Sequence, residues 1–257
     1  MSLIVNSLNQ EVESVSAAIR REPLEPSHRL ALAQLELVRG NHTKALRHLQ
    51  LACQFNAEFA PEAQLIKMLV CAEQVRETVF AGKISPDLLN APSAWLEKMI
   101  EAIRYTGEQA AEKRQSALLD MPKCKGYYGE SSSFESIVDG DDRLGPIVEL
   151  IFGGNYFWVP FDMIESLQIP IPTRPIDFVW IAVTVKLVGY PYRIAYMPSR
   201  YVLPENEDER TNSLLIGSET TWQEFYDDFW QGSGRKTWFA DEKALSIFEA
   251  GQINIEH

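Results

Sequence analysis

Three closely spaced aspartates, Asp139, Asp141 and Asp142, are a group of side chains whose types and spacing could do chemistry. Carboxylates that converge can hold a divalent cation, and a held cation can activate water, so one reading is a metal-dependent hydrolase. The spacing lacks the alternating oxygen ligands and terminal glutamate of an EF-hand loop. The same Asp-Gly-Asp-Asp run also suits a turn whose carboxylates accept from their own backbone, with Arg143 pairing to one of them. Elsewhere the chemistry is thin. His28, His42, His48 and His257 form no HExxH or His-x-His grouping for zinc. There is no Gly-x-Ser-x-Gly elbow and no phosphate-binding glycine pattern, and Gly232-Ser233-Gly234-Arg235 leads into a strand as a flexible turn would. No acid–base pair is poised for catalysis. The expectation is a protein without catalytic residues, cofactor or metal.

Charge and composition narrow the partners. A net charge of −12 opposes a phosphate backbone, since nucleic-acid binders cluster Lys and Arg, and it opposes docking on an anionic membrane. The three cysteines, Cys53, Cys71 and Cys124, are odd in number and lack a C-x-x-C spacing, which points to a reducing compartment and a cytoplasmic protein. Met1 to Leu8 has no charged start and no apolar block of signal-peptide length.

Helical periodicity carries the first half of the chain. Leu8, Val12, Val15 and Ile19 make one stripe of a helix over Asn6 to Arg21. A second helix spans about Ser27 to Val38 and stops at Gly40-Asn41; a third spans about Thr43 to Phe55, striped by Leu46, Leu49 and Cys53. Tetratricopeptide units are helical hairpins of about 34 residues in which small residues let the helices approach. Aligned on Ala45, Leu32 and Ala52 meet that pattern, Ala33 and Leu49 approximate its glycine and phenylalanine, and Arg29, Glu36 and Ala57 stand where Trp, Tyr and Pro are usual. The reading is one complete and one half repeat, degenerate, with a plain helical bundle as the alternative. Further helices follow over Pro61 to Phe80, with Leu65, Met68 or Leu69, and Cys71 to Val75 inward, and over Ala94 to Tyr105, with Ser93 as N-cap and Trp95, Met99 and Ile103 buried. The last, Glu108 to Leu119, is charged and mostly solvent-facing.

At Met121-Pro122 the composition changes to short aromatic and β-branched runs broken by Gly, Pro, Asn and Asp, the signature of antiparallel β structure. Lys123 to Glu130 reads as a linker. Ile147–Phe152, Gly153-Gly154 and the aromatic run from Tyr156 to Phe161 read as a tight hairpin. Tyr156 and Trp158 lie on one face, Phe157, Val159 and Phe161 on the other, and both faces require cover. After a helical turn at Asp162 to Leu167, strands are expected over Asp177 to Val188, Arg193 to Arg200, Leu214 to Ile216 and Lys236 to Phe239, then a helix over Asp241 to Ala250. The fold class is multidomain α and β: a TPR-like α-helical superhelix over 1–122 and a mainly antiparallel β domain over 123–257, a half-open barrel or curved sheet of about five to seven strands by counting such runs.

The run DDRLGPIVELIFGGNYFWVPF resembles the signature of the ImpE family, also called TagJ or SciE. Val79-Phe80-Ala81-Gly82, Pro92-Ser93-Ala94-Trp95-Leu96 and Phe178-Val179-Trp180 extend the resemblance over nearly the whole chain; the acidic loop Glu205 to Arg210 and the tail do not share it. The resemblance implies a cytoplasmic, non-catalytic accessory of the type VI secretion sheath. It further implies binding to the N-terminal helix of the small sheath subunit, TssB or VipA, and a link to the ATPase ClpV. A scaffold that joins secretion subunits without gripping a helix is the alternative.

A helical-hairpin array offers a concave face on which an amphipathic helix can lie. On the repeat alignment that face carries Ser27, Leu30, Gln34, Leu37 and Val38, and Trp158 and Phe161 are the corresponding readers in the β half. The idea requires an open apolar trough.

Overall fold

Helices occupy the chain from α1 (Leu8–Arg21) through α2 (Pro26–Val38), α3 (His42–Phe55), α4 (Ala60–Phe80), α5 (Ala94–Ala102) and α6 (Gly107–Asp120). The computed structural model describes residues 8–257, so the expected start of the first helix at Asn6 and Ser7 lies outside the described residues. Ala33, Ala45 and Ala52 have no exposed surface, which lets α2 and α3 pack closely, as the repeat spacing requires. Leu8 and Ile19 anchor α1, with Val12 and Val15 against the same core. No helix among the described residues is long and apolar enough to cross a membrane.

Thirteen strands follow: β1 (Gly126–Tyr128), β2 (Ser132–Phe134), β3 (Ile137–Asp139), β4 (Ile147–Phe152), β5 (Asn155–Pro160), β6 (Ile164–Gln168), β7 (Trp180–Leu187), β8 (Arg193–Pro198), β9 (Thr220–Tyr226), β10 (Phe229–Gly234), β11 (Thr237–Ala240), β12 (Lys243–Ser246) and β13 (Gln252–Ile255). Two short helices are inserted, α7 (Asn212–Leu215) and α8 (Ile247–Ala250). The main sheet has eight strands in the order β2-β1-β13-β6-β7-β8-β4-β5; β9 and β10 form a separate hairpin, and β12-β11-β3 a third sheet. All the strand pairings are antiparallel. The expected five to seven strands fall short because several strands are only three or four residues long, too short to show alternation.

The β4–β5 hairpin forms as read. Gly153 and Gly154 both take positive φ (57 and 90), the backbone that a two-residue turn between twisted strands needs. Tyr156 and Trp158 point into the core shared with the helices, while Val159 and Phe161 enter a second core on the opposite side of the sheet. Burying each such side chain contributes roughly 1.5–3 kcal/mol. The free edge of β5 is covered by a single residue: the Asp87 amide donates to the Tyr156 carbonyl at 3.2 Å and the Trp158 amide donates to Asp87 at 3.0 Å.

Several expectations are corrected. The linker contains β1, which pairs with β13 and β2. Leu214 to Ile216 falls in and after α7 rather than in a strand, because Thr211 accepts from the Leu214 amide and caps a helical turn. The expected helical turn after the hairpin is the 3-10 turn Phe161–Met163, followed by β6. Asp177 and Phe178 belong to another 3-10 turn, Pro175–Phe178, and Asp241 to Ala250 divides between β12 and α8. On α4, Cys71 and Val75 face solvent while Glu73 and Arg76 are buried, and α6 buries Ala110, Ala111, Arg114 and Ala117. Arg76 is held inward by ion pairs, whereas Arg114 lies over the Phe225 ring, 5.0 Å from its centre, with Nε and Nη1 buried and without a hydrogen-bond partner.

Candidate functional site

The segment around Asp139 to Arg143 lies over an ionic cluster that ties the helices to the sheets. Arg76 leaves α4 fully buried, donating from Nε to Glu149 Oε1 at 2.6 Å, from Nη2 to Glu149 Oε2 at 3.1 Å and to the Arg200 carbonyl at 3.0 Å, and from Nη1 to Glu73 at 2.8 Å. Lys236 lies 2.7 Å from both Glu149 and Asp139. The Tyr156 hydroxyl donates to Glu149 at 2.6 Å and accepts from Trp158 Nε1 at 2.7 Å, while Trp180 Nε1 donates to Glu73 at 2.8 Å. Burial alone would raise the Glu149 carboxyl, but the Arg76 and Lys236 charges outweigh it and hold it down to about 2.

The three aspartates are taken up in the same way. Asp139 accepts from the Asp141 amide, the Tyr201 hydroxyl and Lys236. Asp141 accepts a bidentate pair from Arg143 at 2.9 and 2.6 Å and the Gly232 amide at 3.1 Å. Asp142 accepts the Trp230 amide at 2.6 Å. Asp141 and Asp142 clip β10 to the body through the Gly232 and Trp230 amides, and Arg143 pairs with Asp141 as the turn reading expects.

Asp142 gives a measurable consequence. Burial pushes its carboxyl up to about 6, so its ionisation penalises the folded state above that pH, and the penalty is relieved as pH falls from about 6 towards 4. Asp142→Asn keeps an acceptor for Trp230. It is expected to raise stability at pH 7.5 by about 1–2 kcal/mol, allowing for partial exposure, and to add little at pH 4.5. Thermal melts at the two pH values check this; equal shifts at both would contradict the assignment.

Arg200 has no carboxylate partner within ion-pair distance among the described residues, and burial lowers it to about 10. It donates instead to the carbonyls of Leu37, Val38 and Leu215, at the ends of α2 and α7, whose negative dipole ends offset the charge. Above it opens a cleft of about 800 Å³, bounded by His42, Glu77, Phe80, Arg143, Arg210 and the hairpin residues Gln223 and Gln231. Arg143 stacks over Phe80, 4.8 Å from the ring centre. The lining is polar and of mixed charge, suited to polar contact rather than to an apolar helix face.

The sequence-derived partner residues are dispersed. Ser27 is exposed near the start of α2, its amide bonded to Glu25, and Leu30 is partly buried. Gln34 is buried and donates to Glu62. Leu37 and Val38 have no exposed surface. The expected trough is filled from within: the 3-10 turn Pro175–Phe178 packs on α2, with Ile176 buried and Arg174 reaching Glu62. Every residue of α2 from Leu32 to Val38 is enclosed, because neighbours surround the helix. Phe161 is fully buried, edge-on to Trp238 at 5.3 Å. Trp158 is buried too, yet forms one wall of a small notch, about 160 Å³, beside α5. Of the seven residues, then, Ser27 and Leu30 retain surface, and Trp158 touches an opening.

Repeat-like helices are thus joined to an antiparallel sheet by buried ion pairs. The chain matches the family model described as ImpE protein over residues 131–254. It is 26% identical, over 253 residues, to the type VI secretion system accessory component TagJ of Pseudomonas aeruginosa, covering 97% of this chain and 88% of that protein. The crystal structure of VPA1032 from Vibrio parahaemolyticus superposes with a TM-score of 0.85 at 27% identity, covering 97% of this chain and 94% of that one.

Proposed function

We propose that this protein is a non-catalytic, protein-binding accessory of a type VI secretion system, acting in the cytoplasm and holding a segment of the small sheath subunit of the TssB/VipA kind. The observation that carries the reading is similarity to TagJ across both the helical part (1–122) and the β part (123–257), rather than across one fragment. The engagement of Asp139 and Asp141 by Lys236, Tyr201, Arg143 and the Gly232 amide supports a structural role for this segment. Because α2 is enclosed, we place the contact at another opening, away from the buried Leu37 and Gln34. A link to the ClpV ATPase belongs to the same proposal.

The test is titration of a peptide corresponding to the N-terminal helix of the small sheath subunit from the same secretion system. Micromolar binding by the whole chain, lost with a scrambled peptide, is the expected outcome. No binding at about 100 µM would remove the sheath reading. A scaffold that joins secretion subunits without gripping a helix is the second reading, favoured by the polar lining of the larger cleft.

A further inference from the structure

The notch of about 160 Å³ beside α5 differs in kind from the larger cleft. Its walls include Leu88, Leu96, Trp158 and Met163, with Ala91 and Asp162 also facing it. Asn90 and Ser93 line its polar side, and its volume is that of a single aromatic ring or leucine side chain. Its Trp158 wall is fixed: the indole donates to the Tyr156 hydroxyl, which donates to the buried Glu149. A wall held in this way costs a ligand little to order.

Asp162 supplies the second observation. It is half-buried at the notch, and its carboxylate accepts from its own backbone amide. Burial pushes its carboxyl up, with His257 the charge that opposes this. A half-buried carboxylate at the mouth of the notch, with no lysine or arginine paired to it among the described residues, is matched by a cation carried on whatever fills the notch, and a chain of net charge −12 favours a basic partner.

We infer that this notch is the anchor point for a partner segment that inserts one large apolar side chain and lays a lysine or arginine against Asp162. The inference rests on the sheath reading for the partner's identity, while the chemistry of the anchor comes from the notch. Ala91 is exposed, so a larger side chain there would fill the notch without entering the core.

The experiment uses the full chain and the sheath peptide in calorimetric titrations. Ala91→Trp is expected to weaken binding by at least about tenfold with no change in melting temperature. Asp162→Asn should weaken it by about fivefold and reduce its salt dependence. Changing the peptide's large apolar residues to alanine one at a time should reveal a single position that costs about tenfold against the wild type and nothing more against Ala91→Trp. If the wild type binds and Ala91→Trp binds equally well, the anchor is elsewhere and the inference fails while the sheath reading survives. If the wild type does not bind, the sheath reading fails. The notch is then decided with indole as probe, expected to shift the methyl resonances of Leu88, Leu96 and Met163 in the wild type and not in Ala91→Trp. Absence of that shift overturns the inference. Self-association abolished by Ala91→Trp would assign the notch to a second copy and overturn it as well.

Discussion

Arg76→Ala is expected to destabilise the protein by about 3–5 kcal/mol, read as a fall in the urea midpoint. The substitution removes four hydrogen bonds and leaves Glu149, buried, with Lys236 as its remaining cation and Glu73 with none. Removing one member of a buried pair costs more than removing both, because the survivor keeps its desolvation penalty without its attraction. Arg76→Met combined with Glu149→Met should therefore cost less than Arg76→Ala alone. A single-substitution cost below about 1 kcal/mol would show that the guanidinium is solvated in solution. The cluster also sets the acid limit. With Glu149 held down to about 2, its stabilisation is complete above about pH 4.5 and is lost as pH falls from there towards 2.

Trp158→Ala should cost a similar amount, about 3–5 kcal/mol, by opening a cavity between α5, the 88–91 loop and the sheet. It also removes the donor to the Tyr156 hydroxyl. Trp158→Phe keeps most of the apolar volume and should cost about 1–2 kcal/mol. Urea denaturation of the two variants gives the comparison. Equal costs would place the indole nitrogen, not the ring volume, at the centre of the effect.

Local pattern explains what was legible from sequence. Ile147 to Phe161 states its own structure, because alternation and a Gly-Gly turn act over a few residues. The same holds for Ala33, Ala45 and Ala52 between α2 and α3. The ionic cluster was not legible, since its members are distant in sequence: Arg76 and Glu149 are 73 residues apart, Asp139 and Lys236 97. A signal was present in Glu149 itself, a lone acid within the apolar run IVELIF, where an unpaired charge would be intolerable. The trough failed for a related reason. Repeat spacing predicts that α2 pairs with α3, but nothing nearby reveals that residues 175–178 return to cover its other side. For β1, β12 and α7, runs of three or four residues are too brief for periodicity to speak.

The position of β13 bears on how the molecule is made. This strand lies between β1 and β6, which are both synthesised long before it. On a translating ribosome β1 therefore has its short partner β2 alone, and β6 keeps a bare flank, until Gln252–Ile255 has emerged. Closure of the sheet waits for a strand made more than eighty residues after β6, and the nascent chain must keep those unpaired flanks from finding other strands in the meantime.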